Sequence, residues 1–247
     1  MSDITLWQGD CLELMKNIPN NSVDCILCDL PYGVTVNKKD ITLSFDTLWN
    51  EYKRIIKING VICLFAQGLF YVDLVNSNRS WFKYDIVWDK QLISGFLNAK
   101  KCPLRKHEQI AVFYQKPPTY NPQYSISDKP NHSRGKREGD DFNGLNYNGY
   151  KITPTVVTNK KYPTSIVSFQ KPHPSKCVHP TQKPVELLEY LIKTYTNEGD
   201  TVLDNCMGSG STGVACIHTN RNFIGIELDE NYFKIAEERI DNEKDNS

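Results

Sequence analysis

Two short stretches hold residue types that can do chemistry together. Asp29, Leu30, Pro31 and Tyr32 are consecutive, so a carboxylate, a backbone carbonyl fixed by a following proline and an aromatic face lie side by side. That set suits a planar exocyclic amine. Asp29 and the Leu30 carbonyl can accept its two N–H bonds while Tyr32 stacks on the ring. The second stretch runs from Asp204 through Met207, Gly208, Ser209, Gly210, Ser211 and Thr212 to Gly213, with Glu227 lying 23 positions beyond Asp204. Glycines let backbone approach a ligand closely, and a carboxylate that ends the following strand can hold both hydroxyls of a ribose, so a nucleoside-type ligand is expected. No Gly-Lys-Ser/Thr follows the glycines, which argues against a triphosphate-hydrolysing loop. Each stretch also has a plainer reading. The first is then a strand-ending turn with a helix-capping Asp, and the second a tight turn that exists only for helix–sheet packing.

The elements around these residues must bring them to one place. Val23–Cys28 is a compact apolar run that stops at Asp29, and Thr201–Asp204 and Asn222–Glu227 read as strands. The glycine stretch should open a helix that runs through Ile217, and 232–240 should form a closing helix. Residues 184–196 place Leu187, Leu188, Leu191 and Ile192 on one helical face, with Pro184 in the first turn. Towards the N-terminus the pattern gives strands at 4–7, 61–65, 84–88 and 110–114, and helices at 12–17, 47–58 and 69–76. Asn59-Gly60 should stop the second of those helices. Strands that alternate with helices at both ends of the chain imply an α/β domain with one mostly parallel sheet. In such sheets ligands bind at the carboxyl ends of the strands, where both stretches fall. Between 116 and 180 the alternation gives way to Pro-, Asn-, Lys- and Tyr-rich sequence with short β-like pieces, so an inserted module is expected there.

Charge agrees with that division. The 247 residues carry 29 basic and 29 acidic side chains, yet residues 98–176 hold 14 Lys/Arg against 5 Asp/Glu. A basic middle within an acidic remainder suggests a polyanionic partner, with a solvated basic loop as the bland alternative. An apolar content of 39% with 23% charged residues excludes wholesale disorder. No apolar run reaches the ~18 residues needed to span a bilayer, and no secretory signal is visible, so a soluble, intracellular protein is expected. The eight cysteines lie mostly inside apolar runs and read as reduced, buried thiols. Cys25 and Cys28 have half of a zinc spacing, but no second pair completes four ligands, so no metal is expected.

Together these segments resemble the β-class DNA amino-methyltransferases. Asp29-Leu-Pro-Tyr32 resembles their (D/N/S)PPY catalytic motif, and Asp204 to Gly213 their S-adenosylmethionine loop. Gly9-Asp10-Cys11, Ile58-Asn-Gly-Val-Ile-Cys-Leu-Phe65, His107-Glu-Gln-Ile-Ala-Val-Phe113 and His179-Pro-Thr-Gln-Lys-Pro184 resemble flanking segments, in the circular order of that class. Leu30 stands where proline is commoner, but only its backbone carbonyl is required.

The resemblance implies a Rossmann-like methyltransferase fold, circularly permuted, with a seven-stranded, mostly parallel sheet. The catalytic domain would comprise 1–115 and 178–247, and 116–177 would be the target-recognition insert. Asp10 and the Cys11 backbone would meet the cofactor's adenine and Glu227 its ribose. Asp29 would meet its amino group, and Ser211, Thr212 and Lys183 would lie near its carboxylate. Asp204, Met207, Gly208, Ser209, Gly210 and His179 complete the implied cofactor site. Lys100, Lys101, Arg105, Lys106, Arg134, Lys136, Arg137, Lys160 and Lys161 would meet double-stranded DNA. The implied reaction transfers methyl to adenine N6. Cytosine N4, RNA, protein glutamine and an inactive DNA-binding subunit stay open as alternatives. A C5-cytosine enzyme is disfavoured, since its nucleophile lies in a Pro-Cys dipeptide and no proline here precedes a cysteine. A bacterial or phage-infected cytoplasm, with no membrane association, is the expected setting. The short insert is compatible with a homodimer.

Overall fold

The computed structural model describes residues 2–32, 43–130, 158–171 and 182–245. It divides into two compact units, 1–121 with 165–247, and 122–164. The larger unit is built on strands β1 (Ile4–Gln8), β2 (Val23–Cys28), β3 (Ile56–Ala66), β4 (Phe82–Ser94) and β5 (Arg105–Phe113). Two-residue strands β6 (Ser125–Ile126) and β7 (Lys160–Lys161) pair antiparallel in the smaller unit. β8 (Ile166–Ser168), β9 (Thr201–Asp204) and β10 (Asn222–Glu227) return to the large sheet, whose order is β1-β10-β9-β2-β3-β5-β4-β8. Neighbours are parallel except where β5 runs antiparallel between β3 and β4.

Among the described residues six α-helices accompany the strands: α1 (Cys11–Leu14), α2 (Phe45–Ile55), α3 (Gly68–Ser77), α4 (Val185–Tyr195), α5 (Ser211–His218) and α6 (Glu230–Asp245). Alternation along β3 explains the layering. Val61, Cys63 and Phe65 enter one core with the apolar faces of α4, α5 and α6, while Ile62, Leu64 and Ala66 enter a second core with α1, α2 and α3. Stretches buried on both faces need apolar residues at successive positions, which is why 25–28 of β2, 61–66 of β3 and 202–203 of β9 read as continuous runs.

Several expectations change in the structure. The sheet has eight strands among the described residues, not seven, because Ile166–Ser168 pairs in parallel with Val87, Trp88 and Asp89. The smaller compact unit spans 122–164, within the insert expected at 116–177. Just before it, Asn121 donates its backbone N–H to Thr194 O, on α4, and so stays with the larger unit. The helix expected to reach Ile58 ends at Ile55, and Asn59-Gly60 lies inside β3. β-branched Ile56 pairs with Val23, and the register then shifts before Cys25. A Cβ on Gly60 would lie 2.9 Å from Asp24 O and 2.7 Å from Ile56 Cγ1, so this glycine admits a close backbone approach at the bulge rather than stopping a helix. The 12–17 helix is a short α1 followed by a 3-10 turn at Met15–Asn17, and Pro184 caps α4 from outside. β4, β5 and α6 extend beyond their expected bounds.

Candidate active site

The sheet registers bring the strand ends to one edge. Gln8 pairs with Glu227, Gly225 with Asp204, and Cys28 with Leu64. Residues following these positions therefore leave the sheet together. Antiparallel β5 starts where β3 stops, with Gln109 opposite Ala66, so Arg105 to Glu108 reach the same edge. β4 brings Lys90 there, since Trp88 pairs with Glu108.

At that edge Asp29 takes two hydrogen bonds. Tyr32 Oη donates to Oδ1 at 2.9 Å, and Lys183 Nζ donates to Oδ2. Lys183 also lies 3.4 Å from Glu108 Oε2 and 4.9 Å from the centroid of the Phe65 ring. On its other side, Glu108 Oε1 accepts from Lys90 Nζ at 3.1 Å. The result is a row of alternating charge, Lys90, Glu108, Lys183, Asp29, buried at the first three and half-buried at Asp29. Burying an unpaired charge costs several kcal/mol, which explains why the cations and carboxylates interleave. Burial opposes the charged forms of Glu108 and Lys183. The facing charges prevail, so Glu108 is held below the usual carboxylate range and Lys183 above the usual lysine value. Glu108 Oε2 has no hydrogen bond among the described residues, although it is fully buried. Glu108 and Lys90 did not stand out as site residues in the sequence.

Tyr32 stacks on Phe70, with ring centroids 4.6 Å apart at 29°. Burial, with Asp29 beside it, pushes its phenol well above the ordinary tyrosine range. Tyr32 therefore stays neutral and donates. The Leu30 side chain is buried in the second core, as befits a residue whose useful group is its carbonyl.

The glycine loop serves both packing and the site. Gly210 has φ 77° and a Cβ there would lie 2.9 Å from Ala236 Cβ, while one on Gly213 would lie 2.4 Å from Ile240 Cδ1. Those two glycines let α5 and α6 pack. The remainder of the loop is braced. Asp204 is buried, accepts from Thr212 Oγ1 at 2.6 Å and from Cys206 N at 3.2 Å, and burial raises its carboxyl to about 6. Arg239 reaches from α6 to Ser209 O, to Ser209 Oγ at 2.9 Å and to Ser211 Oγ at 3.4 Å. Glu227 holds Gly208 N at 2.9 Å and Asp229 N at 2.8 Å. Asp10 caps α1 by accepting from Leu12 N at 2.8 Å. Met207 is buried. Cys11, also buried, faces Asn205 Nδ2 at 3.6 Å, and Asn205 is fixed by Tyr52 Oη at 2.6 Å.

Of the basic residues expected to meet a polyanion, Lys100, Lys101, Arg105 and Lys106 all belong to the β4–β5 hairpin and are exposed. Arg105 donates to Gln67 Oε1 at 2.7 Å, and Lys106 pairs with Asp89 at 3.4 Å. A cleft of about 230 Å³ lies beside them, lined by Gln67, Gly68, Arg105, His107, Glu108 and Gln109. Lys160 and Lys161 form β7, in the smaller unit, where Lys160 Nζ lies 5.6 Å from the Tyr124 ring centroid. Arg134, Lys136, Arg137 and His179 fall outside the described residues.

An α/β sheet with carboxylates and a glycine turn along its carboxyl edge defines a protein of the nucleoside-cofactor-binding class. The family model for the N6 and N4 methylases, described as DNA methylase, matches residues 23–238; this chain belongs to that family. It is 28% identical to the Type II methyltransferase M.HpaI of Haemophilus parainfluenzae, over 98% of this chain and 75% of that one. It is also 28% identical to the Type II methyltransferase M.HinfI of Haemophilus influenzae, over 96% and 68%. Identity to the DNA adenine methyltransferase YhdJ of Escherichia coli (strain K12) is 29%, over 96% and 82%. Among solved structures, M1.HpyAVI in complex with SAM superposes with a TM-score of 0.63 at 24% identity, over 96% of this chain and 99% of that one. The cytosine-N4-specific PvuII DNA methyltransferase gives 0.67 at 16% identity, over 99% and 92%. These two likenesses speak for the fold.

Proposed function

We propose that this protein methylates the exocyclic N6 of adenine in double-stranded DNA, with S-adenosylmethionine as methyl donor. The observation that carries the reading is the pairing of Asp29 with Lys183 and Tyr32 at the carboxyl edge, beside the braced glycine loop. The similarity to a DNA adenine methyltransferase supports adenine as the base. When bound, the cofactor supplies an electrophilic methyl carbon on a positively charged sulfur.

The residues present suit such a ligand. Asp10, Asp29 and Glu227 supply carboxylates for its hydroxyl, amine and cationic groups, and Lys183 supplies a cation for its carboxylate. The buried Glu108 Oε2 makes no hydrogen bond among the described residues and faces Lys183 Nζ at 3.4 Å. Glu227 is already oriented by two backbone N–H groups, and each carboxylate oxygen retains a further lone-pair direction.

An adenine amine is a weak nucleophile because its lone pair is shared with the ring. Asp29 and the Leu30 carbonyl each accept one N–H, which favours a pyramidal nitrogen with its lone pair aimed outward. Asp29 then receives the proton that the amine sheds. Tyr32, fixed by Phe70, stacks on a base that has left the duplex. Catalysis is positioning and electrostatics, with no covalent bond to the protein. Such an enzyme works in the cytoplasm. No helix among the described residues is long and apolar enough to cross a membrane.

Methyl transfer from labelled S-adenosylmethionine to unmethylated plasmid DNA tests the reading. Asp29→Ala should abolish incorporation while the protein still folds and unfolds cooperatively. Wild-type turnover by that variant would overturn the assignment of Asp29.

A further inference from the structure

The β4–β5 hairpin runs past the site edge and ends in a feature that methyl transfer itself does not use. Beyond Lys90, residues 91–106 contain four basic side chains and no acidic one. Gly95, with φ 81°, turns the chain into a 3-10 turn at Phe96–Asn98. Asn98 N donates to Gly95 O at 2.8 Å, Ala99 N to Phe96 O at 3.0 Å, and Lys101 N to Asn98 O at 2.8 Å. This tip is a hydrogen-bonded knuckle, and it holds its largest side chains in water: Phe96 is 75% exposed and Leu97 97%. Single exposed apolar residues are commonplace, but two adjacent ones fixed on a rigid tip, followed by Lys100 and Lys101, are not.

The root of the same hairpin decides what the tip meets. Lys90 and Glu108 sit on β4 and β5 and join the charge row that ends at Asp29. A strand rises ~3.3 Å per residue, so the tip projects beyond the site by a few residues and touches whatever the substrate is attached to. For a DNA methylase, that is the duplex around the target base. Lys100 and Lys101 match its phosphates. A rigid apolar wedge matches the stacked interior that opens when a base leaves.

We propose that Phe96 and Leu97 form a wedge that enters the base stack beside the flipped target, with Lys100 and Lys101 on the adjoining phosphates. The inference rests on the DNA methylase reading and adds a segment of the chain to it.

The test uses the full-length protein and two duplexes built on the motif that the wild type methylates, found by sequencing plasmid DNA it has modified. One duplex is fully paired, and the other has an abasic position opposite the target. Phe96→Ala with Leu97→Ala should slow methylation of the paired duplex at least ~10-fold, and the abasic duplex should restore it to about the wild-type rate, because the base to be expelled is already unpaired. Melting temperature and cofactor affinity should not change. Lys100→Ala with Lys101→Ala should instead weaken binding to both duplexes alike. Equal rates for wild type and wedge variant on paired DNA would overturn the wedge. So would a loss of the same size on both duplexes, or a fall in solution mass showing that the tip joins two copies. A wild type that methylates no DNA overturns the methylase reading itself, whatever the tip does.

Discussion

At the scale of single residues, the site is a balance of charges that hold one another in place. Lys183 fixes one oxygen of Asp29 and faces Glu108, whose other oxygen is fixed by Lys90. Replacing Glu108 by Gln leaves Lys90 and Lys183 with one carboxylate between them. Lys183 should then bind Asp29 harder and orient it less well for an amine. We expect kcat to fall by roughly 10- to 100-fold, a loss of about 1.4–2.7 kcal/mol in transition-state stabilisation, and the melting temperature to fall as well, because buried Lys90 loses its carboxylate partner. Glu108→Asp should recover part of the rate. An unchanged kcat in Glu108→Gln would remove Glu108 from the machinery.

Glu227 makes a separate prediction. Glu227→Ala should weaken binding of S-adenosylmethionine by ~1–3 kcal/mol, the usual cost of leaving hydroxyl donors without their acceptor once the ligand covers the site. Calorimetry showing unchanged affinity would refute its role.

Asp29 and Tyr32 were legible in the sequence because they lie within four residues of each other. Glu108 and Lys90 were not, since the register that joins β4 to β5 brings them together. A signal did exist: continuing the buried alternation Ile86, Trp88 by one step puts Lys90 on the core face, and Glu108 precedes Ile110 and Val112 in the same way.

At the scale of elements, the packing of α5 on α6 depends on Gly213. Alanine in a helix is normally better than glycine by ~1 kcal/mol. Here a Cβ would fall 2.4 Å from Ile240 Cδ1 and 2.9 Å from Phe223 Cε1, and overpacking of that kind costs ~1–3 kcal/mol. Gly213→Ala should therefore be net destabilising in urea unfolding, and adding Ile240→Val, which removes Cδ1, should recover part of the loss. A more stable single variant would contradict this packing.

The same helices carry a pH-dependent brace. His218, on α5, bonds Glu189 on α4 at 2.7 Å and Glu243 on α6 at 2.8 Å. Burial opposes the charged ring, but the two carboxylates prevail and raise its pKa above the ordinary 6.5. A raised folded pKa means that the stabilisation is complete below 6.5 and is lost as pH climbs through the higher value. Because the ring is part-exposed, solvent screening limits the effect to ~1 kcal/mol or less. The stability difference between wild type and His218→Gln should shrink as pH rises across that window; a difference that grows would mean that the carboxylates do not hold the charged ring.

The strands β2, β9 and β10 were read from sequence with their ends in place, because doubly buried parallel strands are short, apolar and closed by Gly, Pro or Asp. The start of β3 was misread because Ile55, Ile56 and Ile58 satisfy helical spacing as well as strand alternation. Pairing with β2 decides between them.

At the scale of the whole molecule, neutral net charge conceals a basic middle, and each basic cluster makes its own prediction about salt. Lys100 and Lys101 are exposed, whereas Arg105 and Lys106 already have Gln67 and Asp89 as partners. Neutralising Lys100 and Lys101 should reduce the slope of log K against log salt by up to ~0.9 for each phosphate that is no longer neutralised. Neutralising Arg134, Lys136 and Arg137 together should do the same if the insert holds DNA. A cluster whose removal leaves both the slope and the methylated motif untouched is a solvated surface. The insert's role was the part least legible in the sequence, since short β-like pieces lack the periodicity that identifies long elements, and Ile166–Ser168 proved to belong to the main sheet.

Adenine methylation by way of Asp29 is tested most directly by sequencing, with modified-base detection, DNA from cells that express this protein alongside cells that express the Asp29→Ala variant. N6-methyladenine should occur at one short recurring motif in the first and be missing there in the second. Absence of any methylated base, or N4-methylcytosine in its place, would contradict the assignment.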